Sequence, residues 1–366
     1  MDKSGIRFPI CPSLFYLSCM IARTATARLK KLATTFRAVA VVGPRQSGKT
    51  TLCKLVFPNK PYVSLENPDV WEFSKTDPRG FLNQYPNGAI LDEVQKAPHL
   101  FSYLQQLLDE TKKRGLFILS GSNNFLLQEN ISQTLAGRIG YLQLLPLSLK
   151  ELNEYNKLPN QFYNTVFKGG YPEVIARKIT PLDWYPNYIN TYLERDVRQL
   201  KTIASWLSIL QNSFIIYLLK PYYNNFNKRT IKSSKLYFYD TGLACSLLGI
   251  EKYNQISTHA LKGALFENMI VADLLKQRVH NGLPDNLYYW RDKTGNEIDV
   301  ITDVAGKLTA IEAKAGETIS GDYFKGMTYF DEITNGSIKK ILVYSGKESQ
   351  ERKNKTFILP WQKFNL

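Results

Sequence analysis

The chain has 366 residues, 44% hydrophobic and 13% aromatic, enough for two or three packed cores. Its formal charge of +15 is unevenly placed: +9 over residues 1–150, +5 over 151–260 and +1 over 261–366. Four cysteines (Cys11, Cys19, Cys53, Cys245) without C-x-x-C spacing and three scattered histidines speak against structural zinc and against a disulfide framework, and suit a reducing cytoplasm. The basic excess has two readings, a polyanionic partner such as DNA or a lysine-rich solvated surface.

The apolar run from Phe8 to Leu17 is interrupted by Pro9 and Pro12 and has no A-x-A cleavage site. Residues 1–19 read as an N-terminal extension, with Met20 as a candidate start. Ala38-Val39-Ala40-Val41-Val42 then reads as a short buried parallel strand. It is followed by Gly43-Pro44-Arg45-Gln46-Ser47-Gly48-Lys49-Thr50, which matches G-x-x-x-x-G-K-[ST] at every position, and Thr51-Leu52-Cys53-Lys54-Leu55 continues as a helix. Strand, glycine loop and helix together make a phosphate cradle. Gly43 and Gly48 let the backbone N–H groups turn inward, Lys49 reaches the β and γ phosphates, and Thr50 offers its hydroxyl to Mg²⁺. Gly43 to Thr51 are therefore the expected nucleotide-binding residues, with ATP and Mg²⁺ as the expected cofactors.

Asn87-Gly88-Ala89-Ile90-Leu91-Asp92-Glu93 follows about 40 residues later as turn, short strand and two carboxylates. Asp92 suits the Mg²⁺ shell and Glu93 the polarisation of an attacking water. Leu116-Phe117-Ile118-Leu119 is a third strand ending in Ser120-Gly121-Ser122-Asn123, where Ser122 and Asn123 are candidates to sense the γ phosphate. Arg138, in Leu135-Ala136-Gly137-Arg138, is a candidate to act on the γ phosphate in cis or from a neighbouring subunit. Leu144 to Leu147 reads as a strand before a helix begun near Ser148. Beyond it the chain reads as helices broken at Pro159, Pro172, Pro181 and Pro186.

Thr202 to Leu219 is the longest uncharged stretch, but its serines, Gln211 and Asn212 favour a helix running into a strand over a membrane span. Tyr222 to Lys235 is a basic, aromatic, turn-rich hairpin, either a wing against phosphates or a solvated turn. In the last third, Trp290 to Ile301 reads as strand, turn, strand, and Leu308 to Lys314 as another strand. A hairpin would bring Asp299 beside Glu312, with Lys314 on the same face. Glu267, on a preceding apolar helix, would complete a nuclease-like metal site. The alternative is cross-strand charge pairing on a solvated face.

Taken together, GPRQSGKTTL (43–52), AILDEVQKAP (89–98), LSGSNN (119–124), LAGRIGYLQLLPLSLKEL (135–152), GGYPE (169–173), YLERDV (192–197), KLYFYDTGLACSLLGI (235–250), GALFENMIV (263–271), GNEIDVI (295–301) and IEAK (311–314) resemble the bacterial and archaeal ATP-binding proteins that join an AAA-type P-loop ATPase to a C-terminal domain of unknown function. The resemblance implies ATP binding through Lys49, Thr50, Asp92 and Glu93, and a C-terminal part similar to restriction endonucleases. The fold class expected is α/β. An ATPase core is expected over residues 20–150, a helical middle over 151–250 and a nuclease-like domain over 251–366. Relatives of this kind carry a winged helix-turn-helix before the KLYFYD-like strand. Here Leu200 runs almost directly into Ala204-Ser205-Trp206-Leu207, so most of that module is missing. An exposed apolar face at Trp206, Leu207, Ile209 and Leu210 is the expected consequence. The functional expectation is a Mg²⁺-dependent ATPase in which hydrolysis drives a conformational change. Its alternatives are an ATP-gated nuclease or an ATP-switched module that binds nucleic acid or protein; self-association is a further possible partner mode, and no membrane is expected.

Overall fold

The computed structural model describes residues 21–122, 134–177, 179–193, 203–222, 233–336, 338–353 and 355–365. Two sheets organise them. Helix α1 (Ala25–Thr35) leads into β1 (Ala38–Val42), α2 (Lys49–Val56), β2 (Tyr62–Ser64), α3 (Pro68–Thr76), α4 (Pro78–Asn83), β3 (Ile90–Asp92), α5 (Leu100–Glu110), β4 (Phe117–Gly121) and β5 (Ile139–Gln143). These strands form one parallel sheet in the order β2-β3-β4-β1-β5. The alternation of β1 suits its place inside the sheet, between β4 and β5. Ala38, Ala40 and Val42 face one apolar cluster while Val39 and Val41 face the other, so both faces of the strand are buried. β4 lies between β1 and β3, which places the ends of all three strands along one sheet edge.

The strand expected at Leu144 to Leu147 is instead Ile139–Gln143. Leu144 to Leu147 form the buried connection to α6 (Leu149–Glu154), whose N-terminus Ser148 caps together with Glu151. Pro159 lies ahead of α7 (Phe162–Lys168), and helices α8 (Pro172–Ala176) and α9 (Pro181–Tyr188) begin at expected proline breaks, each with its proline at the first helical position where its missing N–H is harmless. The break expected at Pro186 does not form, that proline lying inside α9. Helix α10 (Ile203–Asn212) runs into β6 (Ile216–Pro221), as its uncharged sequence implied. Trp206 is 45% exposed, whereas Leu207 and Leu210 pack against an apolar cluster around Tyr171, Trp184 and Tyr188. The expected apolar face is thus only partly open.

β7 (Lys235–Phe238), α11 (Thr241–Leu247), α12 (Lys262–His280), β8 (Leu287–Arg291), β9 (Glu297–Val304), β10 (Lys307–Lys314), α13 (Lys325–Ile333), β11 (Lys339–Tyr344), β12 (Gln350–Arg352) and β13 (Thr356–Pro360) complete the chain. The second sheet is mixed, in the order β12-β13-β11-β10-β9-β8-β6-β7. The turn-rich hairpin expected from Tyr222 to Lys235, as a wing or a solvated turn, lies mostly outside the described residues, but the antiparallel β6–β7 pair that flanks it belongs to the C-terminal sheet: Lys220 and Pro221 pair with Tyr288 and Tyr289 of β8. The boundary expected at residue 250 cuts through this sheet. The continuous apolar run Ile216 to Leu219 makes this segment a strand, and the open edge of β8 gives it a partner. Helix α12 is buried along most of its length between the two halves, and its Phe266 meets Phe162 of α7 with ring centroids 4.9 Å apart. No helix among the described residues is long and apolar enough to cross a membrane, and Cys53 and Cys245 are buried free thiols.

Candidate nucleotide site

The loop from Gly43 to Thr50 wraps the end of β1 and opens α2. Gly43 has φ 156°, and a Cβ there would lie 2.0 Å from the Leu144 carbonyl oxygen, so no other residue fits. Gly48 precedes the helix at φ 92°, also in glycine territory. Lys49 Nζ donates to the carbonyls of Gly43 (3.0 Å) and Pro44 (2.8 Å), folding across the loop. Its burial drops the ammonium pKa to about 8, against the pull of the nearby Glu93 and Asp92 carboxylates. Ser47 Oγ is buried and has no hydrogen-bond partner among the described residues.

The carboxylates arrive from β3. Asp92 Oδ2 accepts from Thr50 Oγ1 (2.8 Å) and from the Tyr62 hydroxyl (2.8 Å), while its other oxygen takes the Ser120 hydroxyl. The two groups suited to a Mg²⁺ shell are therefore in contact. One carboxylate and one hydroxyl, completed by phosphate oxygens and water, is a donor set Mg²⁺ accepts. Glu93 stands in the left-handed region at φ 53°, which turns its side chain away from Asp92's partners. Its Oε2 accepts from Ser122 Oγ (3.0 Å) and from Gln95 Nε2. Ser122 thus joins the site as a partner of Glu93, and Asn123 lies outside the described residues. Tyr62, Ser120 and Gln95 were missed by sequence reasoning. Only the spacing of Gln95, two residues past Glu93 on a tight turn, carried any signal.

Arg45, Gln46 and Thr51 join Lys49, Thr50 and Glu93 around a cavity of about 340 Å³. Pro172 and Glu173, from the GGYPE segment, close its side. A second cavity of about 210 Å³ shares Gly48, Thr51, Pro172 and Glu173 with it and is floored by Ile21, Leu52 and Leu55. The polar cavity at the loop and the apolar one beside it form a continuous cleft.

Arg138 is not in this cleft. Its carbonyl accepts from Ala38 N at the start of β1, so it lies at the opposite end of the sheet from the loop, about 16 Å along the strand. Its guanidinium forks onto Asp109 of α5 at 2.5 and 2.9 Å. A cis role on its own γ phosphate is ruled out by that placement, because the parallel strands put residues before β5 and residues after β1 on opposite edges.

The C-terminal acids do assemble. Val300 and Ile311 are paired across β9 and β10, which sets Asp299 beside Glu312. Asp299 Oδ2 accepts from Ala313 N (2.9 Å), and Lys314 Nζ lies 3.4 Å from Asp299 and 2.6 Å from Glu312. Burial and the Asp299 charge both raise the Glu312 carboxyl. Glu267 is raised by the same two causes, but its partners are Lys235 (3.3 Å) and the Tyr237 hydroxyl. Lys235 also pairs with Glu297. Sequence reasoning missed these two partners on β7 and Glu297 on β9. Expected as three carboxylates with Lys314 beside them, the cluster also holds Lys235, which reaches Glu267 and Glu297 from β7. Among the described residues no three His, Cys, Asp or Glu side chains are disposed to hold a metal ion.

Comparison with known proteins gives three family matches along the chain. The family model for an AAA domain matches residues 35–153, and one for a domain of unknown function (DUF4143) matches 262–364. A further domain of unknown function (DUF8612) matches in two pieces, 159–203 and 200–254. Uncharacterized proteins of Mycobacterium tuberculosis and Mycobacterium bovis are each 28% identical over 347 residues, covering 83% of this chain and 76% of theirs. Among solved structures, a Walker-type ATPase of Pyrococcus abyssi is similar over 63% of this chain and 96% of its own (14% identity, TM-score 0.39). RuvB of Thermotoga maritima is similar over 56% and 70% (17% identity, TM-score 0.30).

Proposed function

We propose that this chain, an AAA-type P-loop domain joined to a DUF4143 domain, binds ATP with Mg²⁺ and hydrolyses it to change the relation between its two halves. The observation that carries the reading is the contact between Thr50 and Asp92 beside a Lys49 ammonium held across the loop. Lys49 exchanges the Gly43 and Pro44 carbonyls for phosphate oxygens, and the N–H groups of the loop and of the first turn of α2 cradle the same anion. Thr50 and Asp92 would hold Mg²⁺, which would supply neutralisation of the phosphate charge. Glu93, aimed by Ser122 and Gln95, takes a proton from the attacking water. Base and ribose occupy the apolar cavity over Leu52 and Leu55. A cooperative melt whose midpoint rises with MgATP tests this, since a ligand at a hundred times its Kd adds about 2.7 kcal/mol. No rise at saturating MgATP would remove the reading, and the same melt tests whether the shortened segment near Leu200 leaves a folding defect.

Arg138 serves this reaction only from a neighbouring copy, so self-association is part of the proposal. Turnover per protomer is then expected to rise with protein concentration and to lose that dependence in Arg138→Ala. A concentration-independent rate in both proteins assigns Arg138 to its Asp109 pair alone.

A second reading, an ATP-gated nuclease in a restriction-endonuclease-like C-terminal domain, draws support from the meeting of Asp299, Glu312 and Lys314. Plasmid cleavage with Mg²⁺ and ATP that disappears in Asp299→Ala is its expected result. Cleavage indifferent to that substitution rules the cluster out. Binding of DNA that weakens steeply with salt would favour the remaining alternative, a nucleotide-switched module.

A further inference from the structure

Arg23 precedes α1 and belongs to no motif, yet it is buried and makes three hydrogen bonds, one to the loop and two to the segment around α6. Nη1 donates to the Ser47 carbonyl (2.7 Å), Nη2 to the Leu145 carbonyl (2.5 Å) and Nε to Glu151 Oε1 (3.0 Å). The Ser47 contact has a consequence for phosphate binding. A trans peptide points its C=O and the next N–H in opposite directions. Pinning the Ser47 carbonyl against the protein body therefore turns the Gly48 N–H the other way, toward the cleft, before any anion arrives.

The anchor itself reaches the other domain. Glu151 also accepts from Thr24 N (2.8 Å) and Ser148 N (2.9 Å), and its Oε2 lies 3.7 Å from His280 Nδ1 at the end of α12. His280 Nε2 accepts from Leu145 N (3.1 Å), the residue whose carbonyl holds Arg23. Two more side chains on that face of α12 grip the same segment, Asp273 at Leu149 N (2.6 Å) and Lys276 at the Leu147 carbonyl (3.3 Å). A run from the loop through Arg23 and the 145–149 segment to α12 is thus unbroken.

We infer that Arg23 is a positioning residue for phosphate binding, and that through Glu151 and residues 145–149 it ties the shape of the P-loop to helix α12 of the C-terminal domain. This rests on the ATP-binding reading. Removing one partner alone would strand a buried charge, so the informative variant is the double Arg23→Met, Glu151→Gln, which removes the pair together. Calorimetric titration with MgATP and with inorganic tripolyphosphate is combined with hydrogen exchange across 273–280. Wild-type protein is expected to bind both ligands and to slow exchange in α12 when MgATP is present. The double variant is expected to melt cooperatively, to bind both ligands on the order of tenfold more weakly, and to lose the α12 response. Equal weakening for the two ligands locates the loss at the phosphates. Arg23→Lys keeps the charge pair but cannot fork to three acceptors, and should show the same losses in milder form if the double variant does not fold. Wild-type affinity, or an intact α12 response, in whichever of the two variants melts cooperatively overturns the inference alone. Wild-type protein that binds neither ligand overturns the ATP reading, and this inference with it.

Discussion

Glu93→Gln is expected to bind MgATP as the parent does and to lose hydrolysis by about 10² to 10⁴-fold. The amide keeps the size of the carboxylate and an oxygen that still accepts from Ser122, so the turn at φ 53° and its hydrogen bonds persist. What disappears is the ability to take a proton from water. Thr50, Asp92 and Lys49 are untouched, so ligand affinity, read by calorimetry, should stay near the parent value while phosphate release falls. A variant that hydrolyses ATP at the parent rate would remove Glu93 from the mechanism and leave the site with binding alone.

Glu151→Ala should be the most destabilising single substitution away from the apolar cores, by about 3–5 kcal/mol. It leaves the Arg23 guanidinium buried without its counter-charge and strips acceptors from Thr24 N and Ser148 N. The same junction sets an acid limit. Burial, the largest single influence, works against the Glu151 carboxylate, yet Arg23, His280 and the N–H groups of Ser148 and Thr24 together outweigh it and hold the carboxyl down at about 2 against an ordinary 4.5. Its folded pKa is depressed, so its contribution is present above about pH 4.5 and lost as the pH falls toward 2. His280 is kept neutral by burial, its pKa lowered from 6.5 to about 3, with Arg23 and Lys276 reinforcing the shift and Glu151 opposing it. Below pH 6.5 the unfolded chain takes up a proton there that the folded chain refuses, so stability also falls with pH over that range. The midpoint of thermal unfolding should therefore decline first between pH 6.5 and 4.5, from His280, and more steeply below. His280→Gln should flatten the upper part of that curve and leave the lower part. An unchanged upper slope would show that His280 is not the group being titrated.

The P-loop was legible because its chemistry is local. Eight consecutive residues carry the two glycines, the lysine and the hydroxyl, and the flanking alternation of alanine and valine announces a strand buried on both faces. Asp92 and Glu93 were legible for a similar reason, as the polar end of a short apolar run. The pairing of Asp299 with Glu312 followed from a hairpin whose register the turn at Gly306 fixes. Less could be read where the partner is remote. Arg138 sits one residue before a strand, and which end of the sheet that strand presents depends on strand direction, so a sequence position after the third strand did not reveal that it faces away from the loop.

By itself, then, the sequence determined what is encoded within a few residues: the glycine loop between β1 and α2, its neighbouring carboxylates, and helix ends set by Pro172, Pro181 and the Ser148–Glu151 cap. Tertiary structure alone decided which distant groups meet. It joined β6 and β7 to the C-terminal sheet, put Lys235 among the acids, and brought Arg23, Glu151 and His280, whose ends are 257 positions apart in the chain, into one buried junction. The physical reason is that backbone geometry and side-chain period act over one or two turns, whereas burial of a charge is stable only with a partner that the folded chain, not its order, supplies.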